Sequence, residues 1–286
     1  MLTQSVGVIG QRLVVAFCTI LYVTFAARGG KLAYATAVLD ELRKTPWNAA
    51  MEQRLAEHPY VLSAEDGTLT LAQRRAFVLE QFSIQRQDAA SFASLAGHAS
   101  FAPATLLGAK VPPCAACATN ASQRLFQYLA EGEVYASSLL IDQAVALGLD
   151  DAGLAAHIPT PQAQAYPRQW ARLARSSSHA AGAAAAAINF PAWGHMCARV
   201  RTALASGAYG AVSERELGFL GYFAEPIPDL EARVAAVLIE EAGASDAEAI
   251  AAAVRRQQQA ELAFWDAIYA PREEGREGYY NEYYEG

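Results

Sequence analysis

Ser245–Tyr269, SDAEAIAAAVRRQQQAELAFWDAIY, decides how the chain folds. Ser245 followed three residues later by Glu248 has the spacing of a capping box, so a helix is expected to start here. At about 100° per residue, Ile250, Val254, Gln257, Glu261, Phe264, Trp265 and Ile268 fall in one narrow stripe. Such a stripe is buried against other elements, and Glu261 stands in its centre. A carboxylate there must be hydrogen-bonded, paired or neutralised, because burying a bare charge costs on the order of several kcal/mol or more. Glu261 is then either a core residue satisfied by a neighbouring helix or a group facing a functional pocket.

The surrounding chain has 286 residues, 53% of them hydrophobic and 18% charged, with a net charge of −7. That length supports one large or two small domains with a real core. Abundant alanine, sparse β-branched residues and long 3.6-period segments separated by short breakers point to an all-α protein of close-packed helices. The acidic balance, and the lack of a basic stripe interleaved with aromatics, argue against nucleic acid as a partner. Four cysteines are present: Cys18, Cys114, Cys117 and Cys197. Setting aside Cys18 in the N-terminal segment leaves three, an odd number ill suited to a disulfide framework.

Residues 1–30 differ in character from the remainder of the chain. Arg12 precedes the apolar run Leu13–Ala27, LVVAFCTILYVTFAA, and then Arg28-Gly29-Gly30. A run of about 15 residues is short for a spanning helix and suits the apolar core of a signal peptide, with small residues near Ala26-Ala27. An uncleaved anchor is the next reading, and a helix packed on the domain the third. The expected organisation is therefore a targeting segment over 1–30, a helical domain over 31–270 whose mature form is soluble, and a disordered acidic, tyrosine-rich tail over 271–286. The destination, whether secretory pathway or organelle, is not readable; the odd cysteine count weighs against a strongly oxidising one.

Within the domain, residues 31–57 read as helix broken near Thr45-Pro46 and ending at His58-Pro59. His58 reads as a helix cap or turn residue. A long helix is expected over 71–97, with Phe77, Ile84, Phe92 and Leu95 on its apolar face. The same arithmetic puts Gln81 and Asp88 on that face and Glu80 on its flank. Residues 98–121 read as loop, where the lone Cys114-Ala-Ala-Cys117 spacing is weak support for a metal or redox site. Ser122–Leu147 reads as a helix with Glu131 and Glu133 mid-length, stopped at Gly148. Asp150–Gln164 is expected to be a connector, and Tyr166-Pro167 to open another helix. In the alanine-rich Ser176–Gly207, Asn189-Phe190-Pro191 is expected to kink or restart the helix, leaving Asn189, Trp193 and His195 as a pocket wall or as core filler. Two shorter helices come next, separated by Glu225-Pro226-Ile227-Pro228, with Phe219, Tyr222 and Phe223 clustered at the turn.

No phosphate-binding glycine loop, nucleotide fingerprint or nucleophile elbow is present. The five histidines form no Glu-x-x-His pair, so a di-iron carboxylate site lacks its ligands. What remains is an interior polar set: Gln81 or Asp88, Glu133, Tyr166, Asn189 to His195, and Glu261. Such a set suits a flat, polar heterocycle held between aromatic rings.

From about His58 to Tyr269 the chain resembles the TenA (thiaminase II) family. The resemblance rests on His58-Pro59-Tyr60-Val61, Asp66-Gly67-Thr68-Leu69, Phe77-Val78-Leu79, Pro159-Thr160-Pro161 leading to Tyr166, Pro191-Ala192-Trp193, and Glu261-Leu262-Ala263-Phe264-Trp265. It implies a haem-oxygenase-like helical bundle and a homo-oligomer, dimer or tetramer. Glu261 would be the acid/base, Phe264 would line the pyrimidine pocket and Tyr166 would be the pocket tyrosine. Gln81 occupies the position of the family's pyrimidine-binding aspartate, with Asp88 seven residues on along the same face. The family's nucleophilic cysteine is missing from Phe190-Pro191-Ala192-Trp193, and neither alanine nor proline can attack a substrate. The resemblance thus implies a cysteine-less variant acting on an amino-pyrimidine from thiamin breakdown. Its catalytic residue would be Glu261, and Gln81, Asp88, Glu133, Tyr166, Asn189, Trp193, His195, Phe223 and Phe264 would bind the substrate. No cofactor and no metal are called for. The alternatives are a non-catalytic binding protein on the same fold, and a metal-dependent oxidase using Glu80, Glu133 and Glu261.

Overall fold

A helix rich in alanine can be approached closely from several sides, because little side chain stands between the backbones. The alanine-rich segment is such a helix, and it runs through the middle of the domain. The computed structural model describes residues 31–102, 107–114, 120–241 and 247–270. Among them the secondary structure is all α, without strands. In chain order the helices are α1 (Lys31–Lys44), α2 (Pro46–Ala56), α3 (Pro59–Glu65), α4 (Leu71–Leu95), α5 (Ala121–Ala146), α6 (Asp151–Ala156), α7 (Ala165–Arg175), α8 (His179–Ala205), α9 (Glu214–Ala224), α10 (Leu230–Glu241) and α11 (Ala247–Tyr269). Central α8 packs against α9, α10, α11 and α3, while α4 pairs along its length with α5 and is flanked by α7.

Local chemistry sets the boundaries. Thr70 and Gln73 form a reciprocal capping box at the start of α4, and Asn120 caps α5 by accepting from the Gln123 amide. His58 caps α3, its Nδ1 accepting from the Tyr60 amide at 3.1 Å, with Pro59 at the first helical position. Gly148, at φ +71°, ends the run of α5. The connector expected over Asp150–Gln164 contains one short helix, α6, because Asp150 caps it by accepting from the Gly153 amide at 2.7 Å. The Ser245 cap and the segments 1–30 and 271–286 lie outside the described residues. None of the described helices is long and apolar enough to cross a membrane.

Two expectations change. Of the kink or restart expected at Pro191, the restart does not occur: α8 is continuous for 27 residues with the proline inside. Proline lacks the N–H that would reach the carbonyl four residues earlier, here Ala187. That carbonyl instead faces the guanidinium of Arg43 from α1, whose Nη2 lies 3.5 Å away and also bonds Glu231. The second change concerns the cysteines. Cys114 is disulfide-bonded, so an odd count does not exclude a disulfide here. Cys197 is the free thiol among the described residues, fully buried on α8.

Aromatic side chains fill the space around α8 in two clusters. Tyr60, Phe77, Trp193, Phe219, Phe223, Phe264 and Trp265 form one, with Phe77 and Trp193 nearly parallel at 6.1 Å. Phe92, Phe126, Trp170 and Phe190 form the other. Close approach of α8 to α9 depends on Gly194, where an added Cβ would lie 2.8 Å from the Phe223 carbonyl oxygen. Backbone cannot yield there as a flexible side chain could. Gly194→Ala is therefore expected to destabilise the fold by about 1–3 kcal/mol, read from the denaturant midpoint at unchanged m-value.

Candidate functional site

The long α4 turns Gln81, Ile84, Gln85 and Asp88 toward the junction of the two aromatic clusters, at the i, i+3, i+4, i+7 spacing of one helical face. Glu133 of α5, Tyr166 of α7, Phe190 and Trp193 of α8, Phe223 of α9 and Phe264 of α11 close the other sides. Together they line a small cavity that is partly open to solvent. Aromatic walls with a few convergent polar groups are the usual make-up of a small-molecule site.

Behind one wall runs a hydrogen-bond chain. Tyr166 Oη donates to Asn189 Oδ1 at 2.7 Å, and Asn189 Nδ2 donates to Glu261 Oε2. The other Glu261 oxygen accepts from Trp265 Nε1, one turn further along α11, at 3.2 Å. Glu261 and Asn189 are both fully buried. Desolvation raises the Glu261 carboxyl to about 8, against the opposing pull of the bonds from Trp265 and Asn189. Glu261 is not among the side chains lining the cavity; Asn189 stands between it and Tyr166, which is.

A second carboxyl pair faces the cavity directly. Asp88 is 3% exposed, and its Oδ1 meets no hydrogen-bond donor. Burial raises its pKa well above the usual range, and the Glu133 carboxyl opposite raises it further. Glu133, partly exposed at the mouth, is raised to about 8 by desolvation, with the Gln85 amide working against the shift. Nearby, Tyr222 is pushed up to about 12, first by desolvation and then by the Glu133 charge and the phenol groups of Tyr128 and Tyr135.

Of the residues expected from sequence, Gln81, Asp88, Glu133, Tyr166, Trp193, Phe223 and Phe264 line the cavity, and Asn189 and Glu261 form the chain behind it. His195 does not join them. It is exposed, near Glu65, whose carboxyl is lowered chiefly by the Arg199 hydrogen bond and least by His195. Continuity of α8 through Pro191 is the reason: Asn189 and Trp193 are four residues apart and share a face, while His195 is turned about 200° from Trp193. Ile84, Gln85 and Phe190 also line the cavity without having been expected there from sequence, although Gln85 sits on the same α4 face as Gln81 and Asp88.

The residues of the metal-oxidase alternative do not converge. Glu80 is buried on the flank of α4, where it accepts from the Thr160 amide at 3.0 and 3.2 Å and pairs with His157 at 3.2 Å. This holds the connector that leads to Tyr166. Among the described residues no three His, Cys, Asp or Glu side chains form a metal-ligand group. Cys197, whose thiol is pushed up by burial, is absent from the lining.

The profile of the TENA/THI-4/PQQC family matches residues 46–270. The chain belongs to that family. Among solved structures, a TenA homologue from P. horikoshii OT3 superposes with a TM-score of 0.59 at 17% identity, covering 81% of this chain and 98% of that one. A TenA homologue from Pseudomonas syringae pv. tomato str. DC3000 gives a TM-score of 0.61 at 15% identity, covering 80% and 91%. At such identities the likeness concerns the fold, which is the TenA-type, haem-oxygenase-like bundle. No curated protein matches the sequence. In this TenA-family member the terminal helix that carries Glu261 is also the one that closes the bundle over α8.

Glu261 has a measurable consequence for stability. Its folded pKa, about 8, lies above the ordinary value of 4.5, so between these limits the folded chain holds a proton that the unfolded chain releases. Stability from this group is full below about pH 4.5 and falls as pH rises toward about 8, by on the order of a few kcal/mol. The melting temperature is expected to drop over that window, and to drop less in Glu261→Gln. Parallel curves for the two proteins would show that Glu261 titrates normally.

Proposed function

We propose that this TenA-family protein is a hydrolase acting on an amino-pyrimidine formed in thiamin breakdown, without a cysteine nucleophile. One observation carries the proposal: an aromatic-walled cavity contacts two carboxyls and a tyrosine, backed by a third carboxyl, and its lining contains no thiol. In this reading the ring lies between Trp193, Phe223 and Phe264, with Gln81 and Tyr166 fixing its polar edge. Glu261 takes up acid/base work when a substrate amino group replaces the Asn189 amide at its Oε2. Water adds at the carbon of the scissile C–N bond and passes a proton to the Glu261 carboxylate. The same proton then goes to the departing nitrogen, so one water is consumed and Glu261 is restored. A carboxyl raised to about 8 supplies both protonation states near neutrality, as proton shuttling needs.

The position of Glu261 favours a second reading, a binding protein without turnover. Its carboxyl is already held on both oxygens and lies outside the lining of the cavity.

Incubating the purified full-length protein with the aminomethyl and N-formyl-aminomethyl forms of the thiamin pyrimidine, with products read by chromatography, separates the two. Hydrolysis that falls by about 100-fold in Glu261→Gln is expected. Turnover unchanged by that substitution contradicts the role of Glu261. Ligand-induced thermal stabilisation without any turnover selects the binding protein.

A further inference from the structure

Among the lining residues, the fully buried polar atoms that meet no partner are both acceptors. Asp88 Oδ1 and Gln85 Oε1 are buried and meet no hydrogen-bond donor, and both residues are 3% exposed. Gln85 turns its amide N–H toward Glu133, which fixes its oxygen as the free end of the amide. Tyr166, the hydroxyl in the lining, already gives its proton to Asn189. Buried acceptors without donors are unfavourable, by about 1–3 kcal/mol each, so this side is completed by something that donates.

Charge and shape narrow what that is. Asp88 and Glu133 face each other with no arginine or lysine among the lining residues. Burial and mutual repulsion favour their protonated forms where no counter-charge is at hand, and a bound cation would supply that charge instead. Flat walls are given by Trp193, Phe223, Phe190 and Phe264, and ring faces attract delocalised cations. Two carboxyls and one amide oxygen fall short of the roughly six to eight oxygen ligands of a hard metal ion. The partly exposed Glu133 puts a carboxyl on the outer side of the cavity as well.

We infer that the Asp88, Gln85 and Glu133 side of the cavity binds the charged edge of a flat cation of amidinium type, with positive charge spread over adjacent N–H groups. This deepens the proposed function, naming the charge class of its substrate, and rests on the same cavity. Two parallel N–H···O contacts to a carboxylate are the strong, orienting form of this interaction. Asp88 would accept one pair of N–H groups while the Gln85 oxygen takes an outward one, and Glu133 holds the charge from the mouth side.

Benzamidine and benzamide test this with the full-length protein, since they share a shape and differ in charge and donor count. Calorimetric titration at one pH is expected to show benzamidine binding at least about tenfold tighter. In Asp88→Asn that preference is expected to shrink to within about threefold, with Glu133→Gln giving a smaller decrease. Asp88→Asn keeps the side-chain shape and removes a charge that burial disfavours, so its melting temperature should be no lower than that of the wild type. The two wild-type titrations need no variant. Equal binding of the two probes, no binding of benzamidine, or a preference that survives both substitutions overturns the inference. If pyrimidines are hydrolysed while benzamidine has no advantage, the charge assignment fails and the hydrolase reading stands. Preference for benzamidine without hydrolysis gives the reverse.

Discussion

A carboxyl with no water around it must be held by the protein, and in this chain Glu261 sets that requirement. Its two oxygens are met by Asn189 from the central helix and Trp265 from its own. Asn189 can turn its amide to Glu261 only if its carbonyl finds a donor elsewhere, and Tyr166 supplies one. Three helices, α7, α8 and α11, are thereby fixed relative to one another by a single chain of bonds in the core. Breaking any link leaves a buried polar group without a partner, which is why such networks specify one packing arrangement.

The cavity results from the same arrangement. With Asn189 fixed, the face of α8 that carries Trp193 looks toward α4, where Gln81, Gln85 and Asp88 repeat along one stripe. Polar groups at these positions prevent α4 from burying a wholly apolar face. The space is left open between two aromatic clusters, with acceptors on one side and a proton-bearing carboxyl behind the other. In the proposed reading the two sides have separate tasks: recognition by the Asp88 and Glu133 side, and proton transfer by way of Glu261.

Much of this is legible in the residues because helical periodicity is local. The stripe of α11 is buried from Ile250 to Ile268 as the 3.6-residue repeat requires, and the long α4 carries Gln81 and Asp88 inward for the same reason. Gln85 obeys the same arithmetic, and only its place beside Glu133 marks it out. His195 shows the limit of reading proline locally. A break at Pro191 would free His195 to turn inward; instead a guanidinium from α1 faces the orphaned carbonyl, so the helix runs on and carries His195 outward. Neither that contact nor the bridging role of Asn189 has a sequence signature, since both join residues far apart in the chain. The role of Glu80, bound to the Thr160 amide some eighty residues away, is hidden for the same reason.

The most direct measurement is the titration of the Glu261 carboxyl itself, by carbon-detected magnetic resonance of the glutamate-labelled protein, with the signal assigned by its loss in Glu261→Gln. A buried carboxyl held between Asn189 and Trp265 should titrate near about 8, far above its ordinary value of 4.5. A midpoint at or below that ordinary value would mean that water or a cation reaches Glu261. The dry hydrogen-bond chain on which the site depends would then not exist.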